Sequence, residues 1–162
     1  MESRAKLLGH PIHQMLIVFP LGLLGAAVVF DLIYFATDSP AFAIVSYWMI
    51  IGGLVGGALA APFGLIDWLA IPEGTRAKRV GRLHGGGNVL VLLLFLASAW
   101  MRTDLPEQPG ALAYVCSFVG AGIALFTAWL GGELVDRLGV GVSERADVNA
   151  PSSLRHDQPR AA

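Results

Sequence analysis

The sequence predicts an all-α integral membrane protein, an up-down-up-down bundle of four helices, and three observations carry that prediction. Of 162 residues, 55% are hydrophobic and only 14% are charged, with a mean hydropathy of +0.64; soluble domains carry roughly 25% charged residues. The apolar residues gather into four runs, each long enough to cross about 30 Å of hydrocarbon. Between the runs lie short polar or proline-containing breaks, and short connections make successive helices antiparallel neighbours.

The first span is expected at about 12–36. Proline suits the first helical position, where its missing N–H costs nothing, so the helix should begin at Pro11. The run is longer than the apolar region of a secretory signal and no clear small-residue cleavage site follows it, so it reads as a retained anchor. After the break Thr37-Asp38-Ser39-Pro40, the second span is expected at about 42–71. It is long for one crossing and should tilt or bend, with Pro62 the natural place for a kink. Gly52, Gly53, Gly56 and Gly57 form overlapping small-xxx-small patterns, the signature of a helix face packed closely on another helix. Pro72 to Arg82 reads as a connection, the third span as about 83–102, and Thr103 to Pro109 as the next break. The fourth span, about 110–135, carries Gly120, Gly122, Gly131 and Gly132. Together these make one transmembrane domain over 1–142. Beyond it, residues 143–162 lose apolar periodicity and read as a disordered tail.

Charge restricts the partners. With a formal net charge of −1, no basic stripe is left to neutralise several phosphates, so nucleic acid is not expected as a partner. The single cysteine, Cys116, excludes an internal disulfide, a Cys-based zinc site and an iron–sulfur cluster held by this chain alone. Arg4, Lys6, Arg76, Lys78, Arg79, Arg82, Arg137, Arg145 and the tail arginines fall on one side of the four spans, and Arg102 falls on the other. Positive loops face the cytoplasm, so both termini should be cytoplasmic in a bacterial inner membrane, with the lipid bilayer as the main partner.

Ionisable residues at the ends of spans are costly and need an account. His10 and His13, then Asp67, then His84 with Asn88, then Glu133 with Asp136, all fall at span ends on the expected cytoplasmic side. His84 and Asn88, four apart, share a helical face. Two imidazoles on alternate helices suit a cofactor such as haem b, with His13 and His84 as ligands and Arg79 and Arg82 near its propionates. Alternatively His10, His13, Asp67, His84 and Glu133 form a mixed imidazole and carboxylate set, which suits non-haem iron, manganese or zinc. A plainer account stands beside both. His10, Asp67 beside Trp68, and Asp136 can sit at the headgroup boundary, His13 can be a satisfied core residue, and Glu133 can pair with Arg137 four residues on. On the opposite side, Asp31 near Arg102 reads as an interfacial ion pair. The function classes left open are a redox or metal-binding membrane component, and a structural, transport or proton-relay subunit serving a membrane redox partner or a second copy. The middles of spans one, three and four are nearly free of ionisable groups, which argues against a continuous ion path.

The segments Gly9-His10-Pro11-Ile12-His13, Phe19-Pro20-Leu21-Gly22, Phe30-Asp31, Gly64-Leu65-Ile66-Asp67-Trp68, His84 with Asn88, Gly131-Gly132-Glu133-Leu134-Val135 and Gly139-Val140-Gly141-Val142 resemble a bacterial family of predicted membrane proteins, domain of unknown function 2231. The resemblance runs to about Val142 and implies a four-span prokaryotic membrane protein. It brings no established activity. The general look is also similar to small b-type membrane cytochromes, whose ligand motifs do not align with this chain.

Overall fold

The computed structural model describes residues 1–154. A two-stranded hairpin opens the chain, β1 (Lys6–Leu7) against β2 (His10–Pro11). Helices α1 (Ile12–Leu16), α2 (Val18–Thr37), α3 (Pro40–Ala70), α4 (Arg76–Met101) and α5 (Ala111–Gly132) follow, and a π-helical turn, Glu133–Arg137, extends α5. Four spans are long and apolar enough to cross a membrane: Ile12–Thr37, Pro40–Ala70, Arg76–Met101 and Ala111–Arg137.

The boundaries follow from local chemistry. Pro11 is the residue just before α1, extended at φ −67° and ψ 121°, so the helix starts one position later than expected. The first span breaks at Ile17 because Pro20 has no N–H to offer the carbonyl of Leu16. The 31 residues of α3 run unbroken through Pro62 and reach about 46 Å at 1.5 Å per residue. Span three begins at Arg76, well before the expected position, because Thr75 caps it: its hydroxyl accepts the Lys78 N–H at 3.1 Å. Charged residues at 76–82 looked like loop but form helix beyond the apolar run. Lys78 then folds back, and its Nζ donates to the carbonyls of Trp68 (3.0 Å) and Ile71 (3.2 Å) at the end of α3. A cation there meets the negative end of the helix dipole.

Helix α2 packs mainly on α3, and α4 mainly on α5; α3 meets α4 less extensively, and α2 touches α5 slightly. The architecture is therefore two helical hairpins side by side. Leu24, Ala27, Ile50, Val91, Phe95 and Ala99 form the shared core. As expected, the glycine face of α3 is packed. A Cβ on Gly53 would lie 2.5 Å from Leu24, one on Gly56 2.8 Å from Phe19, and one on Gly57 2.6 Å from Leu92. The outward face is apolar, with Leu32, Leu59, Leu93, Trp100, Leu125 and Trp129 exposed.

Residues 143–154 contain turns without helix or strand, and two of their serines bond the N-terminal segment: Ser143 Oγ to Glu2 and Ser153 Oγ to the Leu8 carbonyl. Residues 155–162 of the expected tail lie outside the described residues.

Candidate functional site

The histidine end of the bundle repeats one motif. His13, on α1, places Nδ1 3.0 Å from the carbonyl oxygen of Ala60 on α3. Its ring lies over Gly64, one turn further along, where a Cβ would come within 2.7 Å of the imidazole. His84, on α4, places Nδ1 2.8 Å from the carbonyl oxygen of Thr127 on α5. Its ring lies over Gly131, where a Cβ would come within 3.2 Å. In both cases a histidine fills a glycine notch and donates to the carbonyl four residues before it. Donation from Nδ1 fixes the tautomer and leaves Nε2 carrying the lone pair. On His84 that atom meets the Asn88 amide Nδ2 at 3.2 Å, and Asn88 Oδ1 accepts from the Thr127 hydroxyl at 2.8 Å. Thr127, His84 and Asn88 thus close a circuit.

The other sequence candidates go elsewhere. Asp67 binds the N-terminal segment: its carboxylate accepts from Ser3 Oγ (2.7 and 2.8 Å), the Arg4 N–H (2.7 Å) and the Ala5 N–H (3.3 Å). Glu133 pairs with Arg76 at the start of α4, 2.6 Å away. Its expected intrahelical partner, Arg137, is displaced because the chain widens into a π-helical turn there, with the Leu138 N–H bonding the Glu133 carbonyl at 3.0 Å. His10 is exposed on β2, with Nε2 3.3 Å from Ser153 Oγ. The five-residue set of His10, His13, Asp67, His84 and Glu133 is therefore not gathered: among the described residues no three of His, Cys, Asp and Glu group to hold a metal ion. The two histidines each bond a backbone carbonyl of their own hairpin, with the carboxylates engaged by other groups.

At the opposite end lies a site the sequence only half disclosed. Asp31 and Arg102 form a two-pronged ion pair at 2.8 and 2.7 Å, both side chains fully buried. The pairing was expected; its complete burial within the bundle was not. Arg102 Nε donates to Ser98 at 3.1 Å, Nη1 to Ser46 at 3.3 Å and Nη2 to Ser117 at 3.4 Å. Every span contributes: Asp31 from α2, Ser46 from α3, Ser98 from α4 with Arg102 as its C-cap, Ser117 from α5. Bilayer and protein interior both penalise unpaired charge, so the guanidinium is matched by acceptors and the pair is neutral. Three serines scattered through apolar runs were the available signal.

Fold and polar groups together define a four-span membrane protein with a fully buried ion pair at one end of its bundle and half-buried histidines at the other. The profile of the family described as Predicted membrane protein (DUF2231) matches residues 9–144, and the chain belongs to that family. Comparison with curated proteins and with solved structures gives no match.

Proposed function

We propose that this protein is a redox component of the bacterial inner membrane that holds one b-type haem through His13 and His84. The observation that carries this reading is the matched setting of the two imidazoles, each oriented by a backbone carbonyl through Nδ1, which is how ligating histidines are held. Asp67 and Glu133 are engaged by other groups, so neither crowds a macrocycle nor supplies the oxygen ligands that a non-haem iron or zinc site needs. Arg79 and Arg82, exposed near the start of α4, are the cations available to propionates. When bound, haem supplies one-electron chemistry. The chain's part is to fix the tautomer and to seat both rings on glycines; His84 Nε2 would be available to iron only with the Asn88 amide turned away from it. Lysine and arginine asymmetry supports a cytoplasmic location for this end and for both termini.

One observation favours a second reading, a structural or proton-relay subunit without cofactor: the Thr127–His84–Asn88 circuit already satisfies His84. The deciding experiment is an absorption spectrum of the detergent-purified protein with and without dithionite, with bound metals measured on the same sample. A Soret band should be present, lost in His13→Ala and His84→Ala, and retained in Glu133→Gln. Metal without a Soret band, lost in Glu133→Gln, would move the assignment to a non-haem site. A preparation with neither haem nor stoichiometric metal would overturn the proposal in favour of the second reading.

A further inference from the structure

The two hairpins match position by position. On their first helices, each residue of the second hairpin lies 71 positions after its counterpart: His13 and His84, Leu24 and Phe95, Ala27 and Ser98, Asp31 and Arg102. On their second helices the offset is 67: Gly53 and Gly120, Ala60 and Thr127, Gly64 and Gly131. Contacts repeat with the positions. Gly53 faces Leu24 and Gly120 faces Phe95, where a Cβ would lie 2.5 and 3.0 Å away; Gly64 faces His13 as Gly131 faces His84. The histidine to carbonyl bonds repeat as well, His13 to Ala60 and His84 to Thr127.

Counterparts also meet each other. Leu24 and Phe95 share one core cluster, and Asp31 and Arg102 bond directly. Contact between equivalent positions is the mark of a two-fold relation between the bonded units. Histidine and charged residue are eighteen positions apart in each half, 13 to 31 and 84 to 102. In each half the histidine packs on the second helix of its own hairpin, and the charged residue pairs across to the other hairpin.

We infer that the chain is a duplicated helical hairpin whose halves face each other about an approximate two-fold axis, and that Asp31 and Arg102, equivalent positions carrying opposite charge, form the lock that makes each half's partner the unlike half. Two identical halves would set Asp against Asp or Arg against Arg, unpaired and buried, an arrangement costly enough to exclude like-with-like pairing. The one side chain that adjusts the arginine from its own helix, Ser98 through Nε, has Ala27 as its counterpart. Both are fully buried. This inference does not rest on the haem reading.

The test is an exchange of the two settings. Asp31→Arg alone and Arg102→Asp alone should abolish the monodisperse, detergent-solubilised species and the cooperative thermal transition of the wild type. The fourfold variant Ala27→Ser, Asp31→Arg, Ser98→Ala, Arg102→Asp should restore both, because equivalent positions tolerate the exchange. A fourfold variant that behaves no better than the single ones would overturn the equivalence. Wild-type behaviour in either single variant would overturn the lock. Elution volume and thermal midpoint are the readouts, so the outcome is separate from that of the absorption spectrum.

Discussion

Gly56 and Gly22 are both glycines of membrane spans, yet they carry opposite expectations. A side chain at Gly56 meets Phe19 and Pro20, whereas Gly22 has nothing within 4 Å of its would-be Cβ. Gly56→Leu should therefore lower the thermal stability in detergent by about 1–3 kcal/mol, the usual penalty of overpacking, and Gly22→Leu should leave it unchanged. Equal behaviour of the two variants would mean that α3 is not packed through this face. The tight spacing of the glycines on α3 made their burial readable in advance. Asp31 and Arg102 were readable as a pair, since opposite charges at span ends on one side attract. Their burial within the protein was not, because it depends on Ser46, Ser98 and Ser117 converging from three helices, and an isolated serine in an apolar run has no directional signal.

Individual elements show where apolar periodicity stops informing. The start of α4 is set by Thr75 and Lys78, which act through capping rather than hydrophobicity. The π-helical turn that diverts Glu133 towards Arg76 left no trace in the spacing of charges. Equally hidden was the fold-back of the N-terminal segment. There Asp67 holds Ser3, Arg4 and Ala5, and Glu2 bonds Ser143 Oγ at 2.8 Å and the Glu144 N–H at 3.3 Å. The Lys6 ammonium, and then Ser143 and the Glu144 N–H, hold the Glu2 carboxyl down at about 2 from the ordinary 4.5. A depressed carboxyl contributes fully above its unfolded value and loses that contribution as pH falls through the folded one. The side-chain carboxyl signal of Glu2 should accordingly titrate near pH 2 in an NMR experiment; a midpoint near 4.5 would show that Lys6, Ser143 and the Glu144 N–H do not hold this carboxylate. Asp67→Asn should loosen the same region, read as faster proteolysis within residues 1–11, with the spans themselves unaffected.

At the level of the whole molecule, four spans were legible from run length and break composition alone, and the structure has four helices long and apolar enough to cross a membrane. The pairing of spans into two hairpins was not, since every span is apolar all round and offers no preferred neighbour. Positive-charge asymmetry predicts that reporter fusions after Thr37 and after Asp104 read periplasmic, while fusions after Gly74 and at Ala162 read cytoplasmic. A reversed alternation would place the histidine end on the periplasmic side. The buried ion pair also bears on how the protein is made. Asp31 precedes Arg102 in the chain, so during synthesis the acidic group of the first hairpin has no partner until the end of α4 is made. The first hairpin alone therefore cannot neutralise its buried charge, and its complete fold depends on the second.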